Sequence, residues 1–244
     1  MMLQKFEEKF VEVITFNIAS KNPIIIGGFP GMGLVGNIVS QYLIEQLSME
    51  QVGRVDSRLF PPIAILYGGI VKGPVRIYES SEHEVIVIFS DIPIDPLISR
   101  EVGRTIVDWI KTVNPKEVVS IAGLATNTDE HKVYCAATDP EKLKAIQEGL
   151  QIFEIGTISG VPGVLINECL NHEIPAICLL GETRGPNPDP RAAIEVVQAI
   201  NKIYGLNIDI TSLKEQADEI EQVLHKLSQQ LGEAEAKPRD SMYG

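Results

Sequence analysis

The residues best spaced for chemistry are Gly31, Gly33 and Gly36, a G-x-G-x-x-G run that follows a short apolar stretch and opens a segment of helical periodicity. In a dinucleotide site such glycines let backbone amides approach a pyrophosphate at the positive end of a helix, and an acidic residue about twenty positions on, here Asp56, holds the ribose. Two features oppose that use. Pro30 removes an amide donor from the turn, and Asp56 sits in GRVDSR with no second parallel strand to carry it to a ribose. The same glycine pattern arises where a strand-to-helix turn merely brings backbones together.

Asp91 and Asp95, in SDIPIDP, follow an apolar run, the place from which carboxylates of α/β proteins act. Interleaved with Pro93 and Pro96, they read better as turn and N-cap residues of a following helix. Glu182, Thr183 and Arg184 follow another apolar run and read as a charged loop ahead of a helix. The four histidines (His83, His131, His172, His225) have no ligand spacing with one another or with Cys135, Cys169 and Cys178. Ser159, in TISGVPG, is one residue out of register for a nucleophile elbow. With no nucleophile, base and orienting group to assemble, the sequence predicts no catalytic residue, no metal and no cofactor. The competing expectation is a nucleotide- or nucleoside-binding enzyme that uses the turn from Gly31 to Gly36, with Glu182 or Asp91 beside it.

Met242, Tyr243 and Gly244 offer another chemistry. A hydrophobic side chain, a tyrosine and a final carboxylate suit insertion into a pocket: the first two bury apolar surface, the phenol donates a hydrogen bond and the carboxylate pairs with a cation. A chain of this composition would end that way about once in a hundred times.

These groups are carried by elements that alternate along the chain. The β-branched run Ile24 to Gly28 leads through the glycines into the helical segment VGNIVSQYLIEQL. Ile63 to Tyr67, Val75 to Tyr78 and Val85 to Phe89 read as strands of a meander, separated by Gly, Pro and charged clusters. A helix over Ser99 to Val113 is stopped by Asn114-Pro115. A strand over Val118 to Leu124, a helix over Gly160 to Asn171, a strand over Pro175 to Leu180 and a helix over Ala192 to Tyr204 follow. Continuously apolar strands require burial on both faces, so the expected fold is a three-layer α/β/α sandwich around a mostly parallel mixed sheet, with antiparallel pairing near Ile63 to Phe89. After residue 209, Ile210, Leu213, Ala217, Ile220, Leu224, Leu227 and Leu231 recur at spacings of three and four, a heptad seam that packs on the domain or pairs with another helix. The expected division is therefore an α/β domain over 1–209, an amphipathic helix over 210–232 and a flexible tail over 233–244.

Composition narrows the partners. A net charge of −12 opposes phosphate-backbone binding, which depends on Lys and Arg releasing counterions, so no nucleic-acid partner is expected. No apolar run approaches the roughly 20 residues that span a bilayer, and the opening MMLQKFEEKF lacks the pattern of a secretory signal, so neither a membrane nor a secreted location is expected. Three scattered cysteines fit a reducing cytoplasm.

The segments IIIGGFPGMGLVGNIVSQYLI, SGVPGVLINECLNHEIPAICLLGET and RGPNPDPRAA, in that order, resemble the archaeal proteins related to the second eukaryotic proteasome assembly chaperone. The resemblance runs over most of residues 20–205. It implies an α/β/α domain similar in topology to purine nucleoside phosphorylases, no enzymatic activity, and a structural role for Gly31, Gly33 and Gly36. The terminal triplet resembles the hydrophobic-tyrosine-any motif by which proteasome activators and assembly chaperones dock between α-subunits of the 20S core particle. Carried over, Met242 is the hydrophobic position, Tyr243 the phenol that acts on the gate, and the Gly244 carboxylate the partner of a pocket lysine. The resemblance implies the 20S α-ring as partner, docking without ATP. It also points to a homo-oligomer, helped by the heptad helix, that presents several tails at once.

Overall fold

Ile24, Ile25 and Ile26 are consecutive in one strand and all buried, which requires cover on both faces of the sheet they enter. The computed structural model describes residues 10–128 and 130–219, and within them the first and third isoleucines face one apolar core and the second faces another. The elements run β1 (Val11–Thr15), β2 (Ile24–Gly28), α1 (Val35–Gln46), β3 (Glu50–Ser57), β4 (Ile65–Tyr67), β5 (Ile70–Lys72), β6 (Val75–Ser80), β7 (Val85–Ser90), α2 (Pro96–Ile110), β8 (Glu117–Ala125), β9 (Val133–Ala137), α3 (Pro140–Ile146), β10 (Gln151–Ile152), α4 (Gly160–Asn171), β11 (Ala176–Thr183) and α5 (Pro190–Tyr204). Short 3-10 turns precede α1 and follow α2.

Nine strands form one sheet in the order β1-β3-β6-β7-β2-β8-β11-β9-β10. Its centre, β7-β2-β8-β11, is parallel, as strands buried on both faces should be. Antiparallel pairs extend it on both sides, through β6, β3 and β1 at one flank and through β9 at the other. Helices α1, α3 and α5 pack on one face and α2 and α4 on the other, giving the expected three-layer α/β/α sandwich.

The boundaries follow local chemistry. Asp95, Asp139 and Asp189 each accept a hydrogen bond from a backbone amide two or three residues on, and each is followed by a proline at the first helical position, so α2, α3 and α5 start with the same device. Helix α2 therefore begins at Pro96, ahead of the expected Ser99. One strand differs in place: Ile65–Tyr67 pairs with Ile70–Lys72 in a separate two-stranded hairpin, closed by Gly68 and Gly69 at positive φ, and takes no part in the main sheet.

Beyond α5 the chain turns back through Gly205. The Asn201 side chain bonds both the amide and the carbonyl of Ile208, and the Tyr42 hydroxyl donates to the carbonyl of Asp209. Residues 211–219 are helical, with Leu213 and Ala217 buried in the core beneath α1 and α5 and Ile210 packed against it. In this described stretch the seam is turned onto its own domain. Ile220, Leu224, Leu227 and Leu231 lie outside the described residues, as do Met242, Tyr243 and Gly244.

Candidate functional site

The carboxyl ends of β2 and β8 meet where the sheet's connections diverge: from β2 the chain proceeds toward β7, and from β8 toward β11. That is the position at which open α/β sheets bind ligands. A cavity of about 440 Å³ opens there, between the turn after β2 (Phe29, Pro30, Gly31, Met32), the end of β8 (Ala122 to Ala125) and the start of α4 (Ser159 to Pro162), with Ile94, Phe153 and Leu180 completing it. None of the side chains lining it is ionisable; Thr157 and Ser159 contribute the only hydroxyls. Such a cavity can bury apolar surface, but it holds no group that exchanges a proton at neutral pH.

The glycine turn is built by packing. Gly33 has φ of 63°, and a Cβ there would lie 2.6 Å from Thr183 Oγ1, while one on Gly36 would lie 2.8 Å from the Ile121 carbonyl oxygen. The second glycine of the motif thus faces a side chain of β11, and the third lets α1 lie directly on β8. The Gly33 carbonyl accepts from the Asp189 amide, which joins the turn to the cap of α5. Gly31 alone faces the open cavity, with nothing within 4 Å of its Cβ position. Asp56 is the penultimate residue of β3, and β6 and β7 separate that strand from β2, a distance of about three strand spacings or 14 Å. It cannot serve a ribose at this turn.

Each carboxylate at the strand ends already has a structural partner. Asp91 Oδ2 lies 2.6 Å from Nη1 of Arg76, and Oδ1 accepts from the Tyr67 hydroxyl at 2.5 Å. Arg76 is buried in β6; it also donates to Tyr78 Oη and the Gly73 carbonyl and lies 4.7 Å from the Tyr67 ring centroid and 5.2 Å from that of Phe89. Asp91 is thus one half of a buried ion pair, beyond the turn role its prolines indicate. Asp95 caps α2. Glu182 is buried within β11 and does not belong to a charged loop. It accepts from Thr128 Oγ1 at 2.7 Å and the Lys132 amide at 3.1 Å. Burial raises its pKa, but these bonds outweigh it and hold the carboxyl below its ordinary value.

The remaining candidates are dispersed. His83 bonds Ser80, His131 pairs with Asp189, His172 lies at the end of α4, and His225 lies outside the described residues. All three thiols are free and buried. Among the described residues no group of three or more His, Cys, Asp or Glu is placed to hold a metal ion, and no helix is long and apolar enough to cross a membrane.

The sequence profile of the PAC2 family matches residues 25–228. The chain belongs to the PAC2 family. Its relatives include the uncharacterized protein MJ0106 of Methanocaldococcus jannaschii, 35% identical over 222 residues and 91% of each chain. Among solved structures, Pyrococcus furiosus PbaA, an archaeal homolog of proteasome-assembly chaperone, superposes with a TM-score of 0.83 at 34% identity, covering 92% of this chain and 94% of that one. Pyrococcus furiosus PbaB, an archaeal proteasome activator, superposes with a TM-score of 0.78 at 27% identity, covering 90% and 99%. The glycine turn, the buried Arg76–Asp91 pair and the uncharged cavity of this PAC2 chain are thus set on the backbone of proteasome-assembly chaperone homologues, and the nucleotide reading is not favoured.

Proposed function

We propose that this protein is a non-catalytic, ATP-independent proteasome assembly chaperone or activator that docks Met242, Tyr243 and Gly244 into α-ring pockets of the 20S core particle. The observation that carries the reading is the likeness over nine-tenths of the chain to both PbaA and PbaB. An α/β domain over 1–209 supplies the body, 210–232 a helix, and 233–244 the reach of the docking motif. Several copies in a homo-oligomer raise the effective concentration of each tail once the first is seated. The work is done in the cytoplasm, where the core particle is assembled. The cavity lined by no ionisable side chain supports recognition over catalysis.

The test is binding to archaeal 20S particles, and their peptide hydrolysis, with the full chain, a variant lacking Met242 to Gly244, and Tyr243→Ala. Binding or activation by the full chain alone supports docking; equal behaviour of all three refutes it. A saturating nucleotide or nucleoside should leave the melting temperature unchanged, whereas a true ligand at 100 times its Kd adds about 2.7 kcal/mol.

A further inference from the structure

Packing accounts for Gly33 and Gly36 but not for Gly31. The Gly31 backbone is extended, at φ −159° and ψ −154°, a conformation open to any residue, and a Cβ there would meet nothing within 4 Å. Glycine nevertheless gives up more conformational freedom on folding than any other residue. What its missing side chain leaves is room, in the wall of the cavity of about 440 Å³. The turn is also strained: Leu34, whose amide donates to the Gly31 carbonyl at 3.0 Å, lies at φ 49°, in the left-handed region. Residues held in such conformations gather at ligand sites, where the surrounding structure imposes them.

The lining is divided. Phe29, Met32, Ile94, Leu124, Phe153 and Leu180 make it apolar, and no ionisable side chain lines it among the described residues. Thr157 and Ser159 put its side-chain hydroxyls on one wall, in the segment that enters α4. Ser159 occupies the N-cap of α4 yet makes no side-chain cap bond, so its hydroxyl is not spent on the helix.

We infer that this cavity binds an uncharged, mostly apolar small molecule carrying one hydroxyl or carbonyl group, its body against Phe29, Met32, Ile94 and Phe153 and its polar end at Thr157 and Ser159. An ionised ligand would give up its hydration and meet no opposite charge on the side chains around it. A nucleoside carries a ribose and a polar base edge, and two hydroxyls on one wall would leave most of those groups without partners. A single hydroxyl or carbonyl is satisfied by either side chain, and the rest of the lining rewards apolar area in a cavity of ordinary ligand size. The site uses neither the core particle nor the terminal triplet, so it stands apart from tail docking.

The test uses the full chain at pH 8 with Nile red, an uncharged fluorophore, as the reporter, and with 1-decanol and decanoate as competitors of equal length. The parent should brighten Nile red, and 1-decanol should displace it at concentrations lower than ionised decanoate by about 10-fold or more. Gly31→Leu fills the cavity from a position with no steric conflict; it should keep the parent's melting temperature and lose both probes. Thr157→Val/Ser159→Ala keeps the cavity open and should weaken 1-decanol by about 2- to 10-fold. The proposal is overturned if the parent binds neither uncharged probe or if folded Gly31→Leu binds them like the parent. Decanoate binding as tightly as the alcohol overturns it too, since selection would then lie with the amides at the start of α4, and unchanged 1-decanol affinity in the hydroxyl variant overturns the assignment of the polar end.

Discussion

Gly33→Ala distinguishes a packing glycine from a phosphate-binding one. The residue sits at φ 63° and ψ 5°, where a Cβ costs about 1–2 kcal/mol from backbone contact alone. The new methyl would also lie 2.6 Å from Oγ1, 2.9 Å from Cγ2 and 3.0 Å from Cβ of Thr183. Thr183 is buried and held in β11 opposite Ala125, so it has little room to retreat, and overpacking of this kind adds about 1–3 kcal/mol. The total of about 2–5 kcal/mol is worth roughly 4–20 °C in a domain of this size. Removing Oγ1 and Cγ2 with Thr183→Ala relieves the collision and leaves the backbone strain. In a urea-denaturation cycle of the two single variants and the double variant, the coupling should therefore be about 1–3 kcal/mol in the compensating direction. Gly33→Ala within about 0.5 kcal/mol of the parent, or additive with Thr183→Ala, would refute the packing account and return the glycine to ligand binding.

Three further outcomes follow from the buried groups. Arg76→Met should destabilise by about 3–5 kcal/mol because it strands Asp91, and the pair Arg76→Met/Asp91→Leu should recover much of that loss in chemical denaturation. Cys169 and Cys178 are pushed by burial to pKa values of about 12, and burial raises that of Cys135 too; a thiol reagent at pH 8 should label none of the three until denaturant is added. Glu182 has a folded-state pKa below its unfolded value, so its stabilisation is complete above the unfolded value of about 4.3 and fades as pH falls through the folded one. The melting temperature of Glu182→Gln should thus trail the parent at pH 7 and converge with it in acid.

Much of the sandwich was legible because its central strands are β-branched runs bounded by Gly and Pro, and because α2 and α5 carry apolar stripes after an Asp-Pro start. What was not legible depends on partners distant in sequence. VRIY in β6 reads as a strand with one polar face, yet Arg76 is covered by rings from Tyr67 and Phe89, contributed by the hairpin and by β7. Glu182 looks like the start of a loop; Thr128 and the Lys132 amide, some fifty residues earlier, allow it to finish a strand. Gly68-Gly69 was a turn signal available for the hairpin, but a two-residue period states that a strand exists and not which strand it joins. The flanking strands β1, β3, β9 and β10 escaped for the opposite reason: partly exposed, they lack a continuous apolar run. For the site, the glycine spacing was plain, while its meaning lay in Thr183 and Ile121, which the spacing does not mention.

At the carboxyl ends of parallel strands, α/β enzymes keep carboxylates with free lone pairs and an altered proton affinity. Here the same positions carry carboxylates whose hydrogen-bonding capacity is taken up by the fold: Asp91 by Arg76 and Tyr67, Asp95 by the Leu97 amide, Glu182 by Thr128 and the Lys132 amide. Freeing Asp91 for acid/base work would mean breaking a buried pair at a cost of about 3–5 kcal/mol, and none of the three lines the cavity. What the strand ends leave accessible around the cavity is apolar, with Met32, Ile94 and Phe153 at least partly exposed.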